Sequence, residues 1–234
     1  MSVKQTRDNH ALSMALIVLA LLALLLGVTT AFGSHRASAH DSGTGYVRVI
    51  HASPGAGKVD VFVNHDALLK NFTFGTITDY VKLDAGDYRI RVAPAGKGAD
   101  SAVIDETVTI EANVHYTAAA LGTKSFSLKV FGDNNYAPDG KARVRVYHLS
   151  PNAGPVDVSV GGSKVIEGLH YPYATNYLTV APGSYTFKVT ATNPGVTLDL
   201  PATLKAGYVY SVFAIGLYKG SPALQFVVAA YNTK

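Results

Sequence analysis

The sequence predicts an all-β protein: two tandem antiparallel β-sandwich modules of immunoglobulin-like dimensions behind an N-terminal hydrophobic segment. Three observations carry this reading. First, His51-Ala-Ser-Pro-Gly-Ala-Gly-Lys-Val-Asp-Val61 and His148-Leu-Ser-Pro-Asn-Ala-Gly-Pro-Val-Asp-Val158 lie 97 positions apart and agree at 8 of 11 residues. The next 31 aligned positions, 62–92 against 159–189, agree at only 6, so the chain holds two diverged copies of one unit. Second, hydrophobicity after residue 45 alternates with period two rather than 3.6, the signature of half-buried strands. Third, turn-forming residues recur at roughly ten-residue intervals, the spacing of a sandwich of short strands.

The elements follow in chain order. Lys4 and Arg7 precede an uncharged stretch from Ala11 to Val28, and Ala37-Ser38-Ala39 offers the small residues of a signal-peptidase site. Residues 1–39 are therefore read as a signal peptide cleaved before His40. The alternative is an uncleaved anchor over residues 11–31, whose apolar core of about 27 Å is near the lower limit for spanning a bilayer. Either outcome puts the remainder outside the cytoplasm.

The first module, 46–131, opens with Tyr46–Ile50 and continues with Val59, Val61 and Val63 alternating with Asp60, Phe62 and Asn64. Ala85-Gly86 then turns the chain into Asp87–Val92, which puts Tyr88, Ile90 and Val92 on one face and charges on the other. Such strands belong to antiparallel sheets with one wet face, about seven strands to a module. Residues 132–141 are the linker, and the second module, 142–230, repeats the order with Arg143–Tyr147, Val156–Val160 and Tyr185–Thr190.

Composition removes several classes. There is no cysteine, so no disulfide or thiolate metal site holds an exported chain together, and packing must do so. Removing residues 1–39 takes Lys4, Arg7 and Arg36 from the bases and Asp8 from the acids, and the formal charge falls from +4 to +2. With charges evenly spread, no nucleic-acid partner is implied.

The His-x-Ser-Pro-x-Ala-Gly-x-Val-Asp-Val segment, followed by Gly86-Asp87-Tyr88 and Gly183-Ser184-Tyr185, resembles a bacterial secreted family catalogued as domain of unknown function 4397. The resemblance covers both modules. It implies a β-sandwich on exported or cell-surface proteins, found in one or more copies behind a signal peptide. No activity and no catalytic residues come with it.

Candidate site residues come from the repeated segment. His51, Ser53 and Asp60, with His148, Ser150 and Asp157, are the residue types of a hydrolase triad. The structural reading is preferred: Ser and Asp satisfy backbone donors in a tight turn, while His caps or packs over it. Gly55-Ala56-Gly57-Lys58 fails as a phosphate loop, since Ala52 and Val59 stand where the pattern needs Gly and Ser or Thr. Asp133, Asn135 and Asp139 do not match a calcium loop and are expected in a solvated turn. No cofactor or metal is expected.

Of fourteen tyrosines, Tyr80/Tyr177, Tyr88/Tyr185 and Tyr116/Tyr210 recur in both copies and are expected in cores or corners with bonded hydroxyls. Tyr171-Pro172-Tyr173 is the best candidate platform for a carbohydrate or peptide. The expected function is that of a secreted or membrane-tethered surface component, structural or binding, and not an enzyme. A carbohydrate- or cell-wall-binding module is the alternative, and an extracellular hydrolase the third. The partners to test are a cell-wall polymer, a polysaccharide or another surface protein. Membrane contact is expected only through an uncleaved N-terminus.

Overall fold

The computed structural model describes residues 43–192 and 195–233. The signal-peptide or anchor segment lies outside the described residues. Among those described, no helix is long and apolar enough to cross a membrane.

Each module has eight strands rather than seven. Module 1 comprises β1 (Thr44–His51), β2 (Val59–Val63), β3 (Asp66–Phe72), β4 (Val81–Asp84), β5 (Gly86–Pro94), β6 (Ile104–Ile110), β7 (His115–Gly122) and β8 (Phe126–Asp133). Module 2 repeats them as β9 (Ala142–His148), β10 (Val156–Val160), β11 (Ser163–Leu169), β12 (Leu178–Val180), β13 (Gly183–Ala191), β14 (Val196–Leu204), β15 (Tyr208–Ile215) and β16 (Gln225–Asn232). Four four-stranded sheets result: β3-β2-β5-β6 and β4-β1-β7-β8 in the first module, β12-β9-β15-β16 and β11-β10-β13-β14 in the second. Both modules are sandwiches, with one departure from the antiparallel expectation. β1 pairs parallel with β7, and β9 parallel with β15. The opening strand is inserted between a hairpin-like edge partner and the last hairpin of its module, and its direction fits only one of them antiparallel.

The modules are joined face to face, and the expectation of one wet face fails for the two inner sheets. Ile50, Ala119, Leu121 and Phe131 of module 1 form one buried cluster with Tyr147, Leu149, Phe213 and Ile215 of module 2. The chain is thus a stack of four sheets with a core inside each sandwich and a third core between them. Periodicity alone assigns the polar alternates of β1 and β9 to solvent. In the fold, the face bearing Arg48 and Ile50 is covered by the other module, and Arg48 is 3% exposed.

Asp133 is the corresponding correction in the linker. It closes β8 instead of sitting in a solvated turn, and its side chain is fully buried. Arg48 Nη2 approaches it at 3.4 Å and Arg145 Nη1 at 3.2 Å. The Tyr80 hydroxyl donates to it at 2.7 Å, and the Thr117 and Tyr147 hydroxyls donate as well. Arg48 also donates to Thr117 at 2.8 Å and, across the interface, to Ser211 at 2.7 Å. Burial, then the neighbouring Asp133 charge, pushes the Tyr80 and Tyr147 phenols well above their ordinary value, so both remain donors. Asp139, by contrast, is exposed.

Two of the three recurring tyrosine pairs use their hydroxyls in the same way in each copy, and Tyr80 and Tyr177 differ. Tyr88 and Tyr185 donate to the carbonyls of Asp84 and Ala181, both at 2.9 Å. Tyr116 and Tyr210 accept from the amides of Glu111 and Lys205. Tyr177 accepts from the amide of Asn134, which pins the linker to module 2.

Candidate functional site

The repeated segment forms a buried knot where the opening strand of each module leaves its sheet. His51 and His148 are 0% exposed, and Ser53 and Ser150 are 1% exposed. The ring nitrogens are both occupied. His51 Nε2 lies 2.7 Å from the Gly57 carbonyl, and the Ser53 amide donates to Nδ1 at 3.3 Å. Nε2 must therefore carry the proton and Nδ1 must be bare, so the ring is neutral. His148 repeats this with Gly154 at 2.7 Å and Ser150 at 3.4 Å. Burial holds both imidazoles below the usual histidine value, partly countered by the glycine carbonyl.

Serine and aspartate bond elsewhere. Ser53 Oγ donates to the Gly122 carbonyl at 2.7 Å, and Ser150 Oγ to the Gly216 carbonyl at 2.7 Å. The hydroxyls thus tie the turn to the end of β7 or β15 instead of capping donors within it. The glycines there are required: with φ of +104° at Gly122 and +90° at Gly216, an added Cβ would lie 1.9 or 2.1 Å from a backbone oxygen. Asp60 accepts from the amides of Asn71 and Gly96, both at 2.8 Å, and those two bonds hold its carboxyl below the ordinary range. Asp157 keeps the first of these, from Gly168 at 2.8 Å. Lys164 at 2.7 Å replaces the second and is the main cause of its lowered value. Among the described residues no hydrogen bond or ion pair joins His to Asp or to a serine hydroxyl, so the six residues form two stitched turns and the triad geometry is not assembled.

The Tyr171–Tyr173 pair is also separated. Tyr171 is half-buried, packs against the inter-module core, and meets the His148 ring edge-on at 6.5 Å. Tyr173 is 57% exposed, with Lys129 Nζ 5.6 Å from its ring centre. Its carbonyl accepts from the His148 amide at 2.9 Å, so the buried histidine knot also holds the turn that presents Tyr173. That ring borders an open groove of about 510 Å³ along edge strand β11, together with Val165, Glu167, His170, Thr175 and Asn176. Sequence reasoning reached Tyr173 but not Glu167, His170 or Asn176. Their counterparts in the first copy, Lys70, Thr73 and Asp79, differ at every position, and this divergence was the available signal. Among the described residues, no group of three or more His, Asp or Glu side chains is placed to hold a metal ion.

Fold and knots together define a tandem β-sandwich protein in which one turn, stitched by His, Ser, Gly and Asp, opens each module. The chain matches the family described as "Domain of unknown function (DUF4397)" over residues 45–159 and again over 142–233, and it belongs to that family. No curated protein shows a significant match. Among solved structures, the N-terminal domain of AlgF from P. aeruginosa is 27% identical, covering 39% of this chain and 96% of that one with a TM-score of 0.28. A family 26 carbohydrate-binding module from Eubacterium rectale, in complex with maltoheptaose, is 13% identical over 81% of this chain and 97% of its own, TM-score 0.27. A putative cell adhesion protein from Bacteroides ovatus is 11% identical over 83% and 98%, TM-score 0.25. Likenesses at this level transfer no ligand.

Proposed function

We propose that this protein is an exported, non-enzymatic surface component: a stiff two-module block that binds an extracellular glycan through the groove beside Tyr173. The observation that carries the reading is the division of labour among its polar groups. Of the residues that diverged least, the histidines, the serines and Asp60 are buried and bonded to backbone, and half-buried Asp157 bonds to the Gly168 amide and Lys164, which supports a scaffolding role. The Tyr173 groove combines an exposed ring with carboxylate, imidazole and amide groups, the mixture that sugar faces and hydroxyls require. Export rests on Lys4, Arg7, the apolar run and Ala37-Ser38-Ala39. The N-terminal sequence of protein recovered from culture tests it: a start at His40 supports a cleaved signal, and an intact Met1 supports the anchor.

Binding is tested by retention on insoluble peptidoglycan and on insoluble polysaccharides. Wild-type protein is expected to be retained. Tyr173→Ala is expected to lose about tenfold in affinity, the order expected when one aromatic contact is removed. Absence of retention on every polymer, or undiminished retention of Tyr173→Ala, would sink the glycan reading and leave a structural role.

A further inference from the structure

A sheet edge offers a row of unpaired N–H and C=O groups, and natural proteins block such edges with charge, proline or shortness. The four sheets have eight edge strands. Lysine or carboxylate residues lie within β3, β4, β6, β8 and β11, Pro201 lies within β14, and β12 is three residues long. β16 is the exception. Its eight residues, Gln225–Asn232, include no charge, proline or glycine, and they pair with β15 in unbroken register. Val228 at its middle is 46% exposed.

The direction of its backbone groups follows from the ladder. The Thr233 amide donates to the Gly207 carbonyl at 2.9 Å, which extends the Tyr208–Asn232 register by one bonded pair. Bonded pairs alternate in an antiparallel ladder, so Tyr231, Ala229, Val227 and Gln225 bond to β15. Phe226, Val228 and Ala230 then aim their N–H and C=O groups at the open edge. The matching edge of module 1 is capped. There the Leu128 amide donates to the Glu106 carboxylate at 3.2 Å, and the Gly132 carbonyl accepts from Arg145 Nη1 at 2.6 Å. Module 2 lacks both caps. Leu200 stands where module 1 has Glu106, and Arg48, the counterpart of Arg145, bonds instead to Thr117, Ser211 and Asp133. Among the described residues, no hydrogen bond outside the β15 ladder reaches the backbone of Phe226, Val228 or Ala230.

We propose that β16 pairs antiparallel with β16 of a second copy, on a two-fold axis at Val228, so that two four-stranded sheets become one. Three features select a second copy over a foreign strand. The strand is uncharged, so self-pairing sets no like charges opposite each other. An axis at Val228 sets Phe226 against Ala230 and Val227 against Ala229, large beside small, and brings the three outward-bonding residues into bonded pairs. Val227 and Ala229 already pack on the core between the modules, and Phe226 on the core of module 2, so the pairing continues both cores into the second copy. Such a contact uses the same patch on both partners and closes on itself, giving dimers and not fibres. The edge is separate from the Tyr173 groove, and neither proposal depends on the other.

The test follows the whole protein by sedimentation equilibrium across a concentration series, with hydrogen exchange of the Phe226, Val228 and Ala230 amides as the site-specific readout. Dimers are expected, and those three amides should exchange more slowly as the dimer fraction rises. Val228→Lys, which sets two lysines face to face on the axis, is expected to weaken dimerisation by about tenfold or more. Leu200→Glu, which installs the first module's own cap for the Phe226 amide, is expected to act in the same direction. A wild-type chain that stays monomeric at millimolar concentration overturns the proposal, whether or not it captures an added extended peptide of unrelated sequence. Undiminished dimerisation of a folded Val228→Lys protein overturns it too. Dimers whose three amides are no better protected than in the monomer do the same, even if neither variant folds.

Discussion

Substituting Asp133 by alanine tests whether the two modules are held as one block. Asp133 is the carboxylate between two guanidiniums, and Arg48 has no other acidic partner among the described ion pairs. Removing it leaves Arg48, 3% exposed, and Arg145, largely covered, facing each other in a closed interface. Breaking a buried charge pair by deleting one partner costs about 3–5 kcal/mol, because the surviving charge stays desolvated. Three hydroxyl donors, from Tyr80, Thr117 and Tyr147, lose their acceptor at the same time. Against a total stability of about 5–15 kcal/mol for a globular protein, such a loss is visible in any equilibrium measurement. The assay is urea unfolding followed by tyrosine fluorescence, since the chain has fourteen tyrosines and no tryptophan. Asp133→Ala should lower the stability by about 4 kcal/mol. The triple variant Asp133→Leu, Arg48→Met, Arg145→Met should recover most of the loss, since an apolar replacement of a whole buried cluster is nearly neutral. A deficit below about 1 kcal/mol in the single variant, within the range of exposed pairs, would refute the claim that this cluster is desolvated.

Two further outcomes follow from the knots. His51 and His148 have folded-state values held below the unfolded one by burial, so the unfolded chain takes up protons first as pH falls. Stability is therefore full above about pH 6.5 and should decline below it, with His115 contributing in the same direction and Asp60 only at more acidic pH. A urea midpoint that is flat or rises between pH 7 and pH 5 contradicts the buried neutral rings. Gly122→Ala must place a Cβ against the Ser125 carbonyl as well as hold φ at +104°, and should cost about 3 kcal/mol; Gly57→Ala meets nothing and should cost about 1 kcal/mol for its φ of +66°. Equal thermal destabilisation of the two variants would remove the steric argument.

Much of the architecture was legible because local chemistry decides it. The duplicated turn, the period-two strands and the tyrosines with bonded hydroxyls all follow from interactions within one module. What escaped was set by contacts between modules. Period two distinguishes two faces of β1 without saying which is dry, and Arg48 belongs on a polar face until a second sheet covers it. A hint was present in β7 and β15, where Ala118-Ala119-Ala120 and Val212-Phe213-Ala214-Ile215 break the alternation, as strands buried on both faces do. Asp133 carried no local hint, since its partners lie up to 85 positions away. The Tyr173 groove was half legible: the tyrosine was conspicuous, but Glu167 comes from β11, where no residue matches the first copy, and His170 and Asn176 from the segment that follows it.

The interface also explains why its aromatic residues gather where they do. Arg48 and Arg145 occupy the same position in the two copies, yet they share one carboxylate. The site in β16 that matches Asp133 is Tyr231, which meets the Tyr80 ring edge-on at 5.7 Å and His115 at 5.6 Å. Two guanidiniums and one carboxylate leave a positive charge unmatched in a closed space, a costly arrangement if nothing offsets it. The offset comes from ring faces. Arg48 lies 4.7 Å from the centre of Tyr80 and 5.4 Å from Phe213, while Arg145 lies 5.0 Å from Tyr147 and 5.1 Å from Tyr177. A desolvated cation over an aromatic face gains up to about 2 kcal/mol, so four such contacts are of the size needed to tolerate the missing second carboxylate. The copies therefore diverged in complementary directions at this contact: one kept an acid at the end of its last strand, the other an aromatic ring.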